Sequence, residues 1–182
     1  MRYIIFDRDG TLIKHIPYLH DKSQVELNPG ARSIIKEFIK EGYQLFLHTN
    51  QSGVARGLFK IDDVIECNDR MIELLNIPKP IFNKICIATD YPSSDNSYRK
   101  PSPRFGLELI KEYNIKSNEL IYIGDSVSDL LTAKKLSCMA YGVDSEGNNE
   151  LNHEISNIPG LKKIKVFNSL NEIKTEIIKQ DN

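Results

Sequence analysis

Tyr3-Ile4-Ile5-Phe6-Asp7-Arg8-Asp9-Gly10-Thr11 is the stretch on which the fold of this chain turns. Its four apolar residues read as a buried strand, and that strand delivers two carboxylates one residue apart at its end. Like charges held together away from water are costly unless a cation or a phosphoryl group lies between them. Gly10 lets the backbone turn sharply there, and Thr11 can satisfy loose backbone groups. Taken by itself the stretch reads equally well as a β-turn, because Asp, Gly and Thr are common turn residues.

Outward from this point, apolar runs alternate with segments of helical period. The spacing predicts a helix opened by Pro29-Gly30 and running to about residue 40, with Ile34, Ile35, Phe38 and Ile39 on one face and a stop at Glu41-Gly42. A second strand is expected over 43–48. A helix follows over 61–75, striped by Val64, Ile65, Ile72 and Leu75, then a strand over 85–88. The remaining elements are expected as a helix over 105–113, a strand over 120–123, a helix over 126–136 and a strand over 139–143. An Asn-rich loop over 146–157 precedes a strand over 164–167 and a helix from about residue 169. This alternation implies an α/β fold in three α/β/α layers, with helices on both faces of a central parallel sheet. Such sheets bind ligands beyond the carboxyl ends of their strands, where Asp7-Arg8-Asp9, Thr49-Asn50 and Asp125 are expected to fall. No internal repeat or linker divides the chain, so 1–182 is expected to be a single domain.

The composition is that of an ordinary soluble protein: 182 residues, 40% hydrophobic and 27% charged. A net charge of -1 supplies no field favouring nucleic acid or an anionic membrane surface. No apolar run approaches membrane-spanning length, and with the opening strand running straight into Asp7 no signal peptide is expected. With three scattered cysteines and no C-x-x-C pair, a cytoplasmic, reducing compartment is expected. No exposed apolar repeat suggests an obligate assembly, so a monomer is expected.

Four segments fit one reaction: Asp7-x-Asp9-Gly10-Thr11, Thr49-Asn50-Gln51-Ser52-Gly53, Arg99-Lys100-Pro101, and Gly124-Asp125-Ser126-x-x-Asp129. Each also has a plainer reading. Thr49-Asn50 reads as a helix cap, and Arg99-Lys100 as solvated loop charge. Asp129 in the first turn of a helix complements its dipole, and Ser126 is an N-cap. Asp125 ends a strongly apolar strand, which favours a site. His15, His20, His48 and His153 form no metal cluster; His48, inside a strand, reads as structural, and His15 and His20 lie on a segment placed to flap over a substrate.

Together the four segments make the chain resemble the phosphatases of the haloacid dehalogenase-like superfamily, over residues 3 to about 143. Phe6–Thr11, Thr49–Gly57 and Arg99-Lys100-Pro101 resemble the branch that holds the heptose-1,7-bisphosphate 7-phosphatases and histidinol-phosphate phosphatases. The resemblance implies a Rossmann-like fold in which Asp7 attacks phosphorus and forms an aspartyl-phosphate. Asp9 would protonate the leaving alkoxide and then activate water. Thr49, with the Asn50 backbone N–H, and Lys100 would hold the phosphoryl oxygens. Mg²⁺ would be held by Asp7, the Asp9 carbonyl and Asp125, with Asp129 supporting the metal's waters or the neighbouring loop.

Spacing bears on the substrate. The segment 12–28 is too short for a folded cap domain, and 52–99 holds little more than one helix and one strand, so a capless enzyme is expected. Its open site would be framed by loops 13–26, 52–60 and 90–98. Arg56 and Arg99 are the candidate cations for a second phosphate or another anionic group, although Arg56 also reads as solvated. Many members of the resembled branch carry a Cys/His zinc loop; 88–98 here has neither residue type, and Cys86 has no nearby partner, so no zinc is expected. The expected substrate is a small sugar phosphate, with heptose bisphosphate ahead of histidinol phosphate. Polynucleotide 3′-phosphatases share the absence of zinc and a Tyr-Arg-Lys-Pro segment like Tyr98–Pro101, but the near-neutral charge argues against a nucleic-acid groove. A phosphate-binding scaffold without turnover would lack an aspartate of the set, and none is missing.

Overall fold

The computed structural model describes residues 2–91 and 97–181. Six strands form one sheet in the order β3-β2-β1-β4-β5-β6, every neighbouring pair parallel. They are β1 (Tyr3–Phe6), β2 (Gln44–Asn50), β3 (Lys84–Ala88), β4 (Leu120–Gly124), β5 (Met139–Val143) and β6 (Lys165–Phe167). The helices between and after them are α1 (Ala31–Lys40), α2 (Ile61–Leu75), α3 (Arg104–Tyr113), α4 (Val127–Leu136), α5 (Glu150–Ser156) and α6 (Leu170–Asp181). This is the three-layer α/β/α arrangement the alternation implies, and no cap is inserted among the described residues. Among the described residues, 13–26 adds only a turn of 3₁₀ helix and 51–83 only α2.

Side-chain alternation along the central strand builds both layers. Ile4 and Phe6 join the core formed with α1, α2 and α6, whereas Tyr3 and Ile5 face the core formed with α3 and α4. Strand order reverses at β1: the chain proceeds to β2 and β3 on one side and returns through β4, β5 and β6 on the other. The carboxyl ends of β1 and β4 therefore sit at the switch point, where the loops diverge and leave a crevice.

The structure corrects several element boundaries and faces. The loop expected over 146–157 contains α5, whose Leu151 and Ile155 pack against Leu130 and Leu161. Its Asn-rich composition hides this short apolar stripe. Strand β2 runs through Thr49 and Asn50, because these residues pair with Ile87 and Ala88 of β3. On α1, Ala31 replaces Ile39 on the buried face, and Ile39 is 37% exposed. On α2 the buried stripe is Val64, Cys67, Asn68, Met71 and Leu75, while Ile65 lies exposed and Ile72 is half-buried. Beyond Asp144, β6 completes the sheet edge and α6 packs beside α1.

Candidate active site

Asp7 leaves β1 with its N–H donating to the Ile123 carbonyl of β4 at 2.9 Å, so the turn after β1 stays registered to the sheet. Gly10 then adopts φ +80°, a left-handed conformation that L side chains rarely take. It is also a close approach: a Cβ there would lie 1.9 Å from Oδ2 of Asp125. Glycine at this position is what lets the β1 and β4 loops meet. The turn is braced from behind by Asn28, whose amide nitrogen donates to the Gly10 and Thr11 carbonyls, and by Ser145, whose hydroxyl donates to the Gly10 carbonyl.

Three carboxylates converge in front of this turn. Asp7, Asp125 and Asp129 each offer an oxygen within 4.8 Å of the others'. Lys100 lies among them, with Nζ 2.5 Å from Asp7 Oδ1 and 2.6 Å from Asp129 Oδ1. The Thr11 hydroxyl donates to Asp7 Oδ2 at 3.3 Å and lies 3.5 Å from Asp125 Oδ1. Burial raises Asp7 to about 6; the Lys100 ammonium opposes the rise, and Asp129 and Asp9 add to it. Burial, followed by the charges of Asp7 and Asp129, raises Asp125 to about 9. Burial disfavours the Lys100 ammonium, but Asp129 and Asp7 outweigh it and hold the group firmly protonated. An all-oxygen donor set in which burial, and after it mutual repulsion, raises two members fits a hard divalent cation, which would displace the Asp125 proton.

The β2 end positions the lysine. Asn50 Nδ2 donates to the Lys100 carbonyl at 3.2 Å, and the Lys100 N–H donates back to Asn50 Oδ1 at 2.9 Å. Two residues earlier, buried His48 anchors the same loop. Its Nε2 lies 2.9 Å from the Tyr98 carbonyl, which can only accept, so Nε2 carries the hydrogen and Nδ1 accepts from the Tyr122 hydroxyl at 2.9 Å. Burial, reinforced by Lys100, lowers His48 to about 3, so it stays neutral.

Asp9 stands apart from the three-carboxylate group. Its Oδ2 accepts from the Thr49 hydroxyl at 3.1 Å and from Gln51 Nε2 at 2.9 Å. Arg8 forks onto both of its oxygens. Asp129 also holds the start of α4, accepting from the Ser126 N–H and hydroxyl at 3.1 and 2.7 Å. Ser126 thus occupies the N-cap position.

A cavity of about 280 Å³ opens on the Asp9 side, with Asn50, Gln51 and Arg99 in its wall and the segment from His15 to Leu19 over it. Burial and the neighbouring Arg56 guanidinium lower Arg99 from its ordinary value. Arg56 is exposed and donates to the Tyr18 hydroxyl at 3.3 Å. Phe59 stacks on His20 with centroids 5.7 Å apart, tying loop 52–60 to the flap. His15 lines both this cavity and a second, of about 220 Å³, on the Asp125 side. Of the third framing loop, 90–98, residues 92–96 lie outside the described residues. The structure therefore gathers Asp7, Lys100, Asp125 and Asp129 in one cluster and Asp9, Thr49, Asn50 and Arg99 beside it, with Arg56 at the rim.

Sequence reasoning assigned no role to Arg8, Asn68, Gln51 or Asn28. An arginine is read by default as solvated. The available signal was its place inside an otherwise buried motif.

The family model described as polynucleotide kinase 3 phosphatase matches residues 2–146. The D-glycero-beta-D-manno-heptose-1,7-bisphosphate 7-phosphatase of Pasteurella multocida (strain Pm70) is 30% identical over 174 residues, covering 88% of this chain and 95% of that protein. The enzyme of the same name from Haemophilus influenzae is 33% identical over 133 residues, covering 70% and 72%. Among solved structures, D,D-heptose 1,7-bisphosphate phosphatase from B. bronchiseptica, complexed with magnesium and phosphate, superposes with a TM-score of 0.87 at 24% identity, covering 99% of each chain, a likeness of fold. With this family match and these relatives, the chain belongs to the haloacid dehalogenase-like phosphatases and is a phosphoric monoester hydrolase.

Proposed function

We propose that this phosphatase removes the 7-phosphate of D-glycero-β-D-manno-heptose 1,7-bisphosphate through an aspartyl-phosphate on Asp7, with Mg²⁺ as cofactor. The observation that carries the chemistry is the Lys100 ammonium 2.5 Å from Asp7 inside a group of three carboxylates. The names of the relatives support the substrate. A carboxylate of Asp7 attacks phosphorus in line while the bond to the sugar oxygen breaks, and Asp9 gives its proton to that oxygen. Asp9 then takes a proton from the water that attacks phosphorus, the bond to Asp7 breaks, and inorganic phosphate leaves. Lys100 offsets the negative charge of the nucleophile as it meets the anionic ester, and the Thr49 hydroxyl, turned from Asp9 to the bound ester, and the Asn50 N–H orient the phosphoryl oxygens. Mg²⁺, held by Asp7, Asp125 and the Asp9 carbonyl, would supply further charge neutralisation at the phosphoryl oxygens. Arg99 and Arg56 receive the second phosphate. Residues 1–182 act as one capless, monomeric, cytoplasmic domain in this reading. No described helix is long and apolar enough to cross a membrane.

The matched family's description favours a second reading, 3′-dephosphorylation of a polynucleotide; the net charge of -1 weighs against it. A phosphate-release panel with Mg²⁺ decides between them. It compares both anomers of heptose 1,7-bisphosphate with histidinol phosphate, fructose 1,6-bisphosphate and a 3′-phosphorylated oligonucleotide. A kcat/KM for the β anomer of heptose 1,7-bisphosphate decades above the rest is the expected result. A flat profile withdraws the heptose assignment, and preference for the oligonucleotide installs the second reading.

A further inference from the structure

Arg8 heads the fully buried side chains of the chain by volume and has no exposed surface. A guanidinium in that position is costly unless its charge is paired and its N–H groups are met. The ion partner found for it among the described residues is Asp9, met as a two-pronged fork: Nε to Oδ2 and Nη2 to Oδ1, both at 3.0 Å. The remaining Nη1 donates at 2.8 Å to Oδ1 of Asn68, which is 3% exposed on α2. With Thr49 and Gln51 also donating to Oδ2, the Asp9 carboxylate is oriented from three directions where it enters the wall of the 280 Å³ cavity.

We propose that Arg8 and Asn68 are positioning residues: the Asn68 amide sets the Arg8 fork, and the fork aims the Asp9 carboxylate at the oxygen of the departing alcohol. The inference rests on the reading of Asp9 as the acid–base group. Arg8 exchanges no proton; its planar fork fixes the plane of the carboxylate, which a lysine at the same place would not do.

The leaving group provides the test. A sugar alkoxide needs a proton as it departs, whereas 4-nitrophenolate leaves without one, and kcat/KM reports the steps up to that departure. Arg8→Met, Arg8→Lys, Asn68→Leu and Asp9→Asn are compared with the parent on 4-nitrophenyl phosphate and on the alkyl ester with the highest kcat/KM in the panel above. Thermal unfolding midpoints are recorded for each. Asp9→Asn is expected to lose about 10²–10⁴-fold on the alkyl ester and at least about 10-fold less than that on the aryl ester. Arg8→Met should lose about 10²-fold and Asn68→Leu about 10-fold with the same selectivity, as expected of a misaimed group. Arg8→Lys should fall between them. Equal losses on both esters for the Arg8 and Asn68 variants, while Asp9→Asn stays selective, would make the pair structural and overturn the proposal. An unselective Asp9→Asn would overturn the reading of Asp9 itself, and the proposal with it. Should Arg8→Met not fold, Asn68→Leu and Arg8→Lys decide by the same criterion.

Discussion

Replacing Lys100 with methionine removes the cation that pairs with both Asp7 and Asp129 at nearly unchanged side-chain length. At an effective dielectric constant of about 20, each contact, at 2.5 and 2.6 Å, represents an attraction of about 6 kcal/mol. Desolvation of the ammonium and carboxylates, all at most 7% exposed, offsets most of it. Removing one partner of such a pair costs about 3–5 kcal/mol, because the carboxylates are left buried and unpaired. For a chain of this size about 2–4 °C is lost per kcal/mol, so the midpoint should drop by about 6–20 °C at pH 8 in EDTA. Two conditions should narrow the gap. Burial already holds the native carboxyls of Asp7 and Asp125 above their unfolded values, and loss of the ammonium raises Asp7 further. The native variant therefore binds more protons than its unfolded chain across that range, and its stability rises as the pH falls. At pH 5 the deficit should shrink. At pH 8 Mg²⁺ should shrink it too, because it binds the native state alone and binds the variant, whose carboxylates lack the competing ammonium, more tightly than it binds the parent. Calorimetric or circular-dichroism melting of both proteins under the three conditions checks this. An unchanged midpoint at pH 8, or a deficit indifferent to pH and Mg²⁺, would refute the view that Lys100 neutralises this cluster.

Asp7→Asn should cut turnover by at least about 10³-fold with the fold and substrate affinity kept, and acid quenching should trap no phosphoenzyme; ordinary activity would exclude Asp7 as nucleophile. Gly10→Ala places a Cβ 1.9 Å from Asp125 Oδ2 and imposes a left-handed alanine, worth about 1–2 kcal/mol. A Mg²⁺ titration should show metal affinity falling more than stability does. Because a cation must displace the Asp125 proton near 9 and part of the Asp7 proton near 6, calorimetric Mg²⁺ affinity should rise by about 10²-fold from pH 6 to pH 8. An affinity independent of pH would contradict the crowding of these carboxylates.

Much of the site was legible because its residues are tied to local features. Asp7, Asp125, Thr49 and Asn50 each stand at the end of an apolar run, and burial on both faces of a central strand makes such continuous runs readable as strands. What was misread involved a competing local signal. Asparagines concealed α5, and the helical stripe of α2 was assigned to Ile65 and Ile72 because isoleucine is the stronger apolar signal than Cys67 or Asn68. Asn68 was invisible for a further reason: a buried amide announces itself only through its partner, and that partner is Arg8, 60 residues away.

By itself the sequence determined the order of strands and helices, the glycine turn after the first strand, and the set of carboxylates and cations that reach the strand ends. All of these follow from side-chain period and backbone freedom over a few residues. The tertiary structure decided the pairings: Lys100 with Asp7 across 93 positions, Arg8 split between Asp9 and Asn68, and His48 holding Tyr98. Those choices depend on sheet register and on the reversal of strand order at β1. Both are settled by the joint packing of two cores against one sheet, which no local stretch encodes.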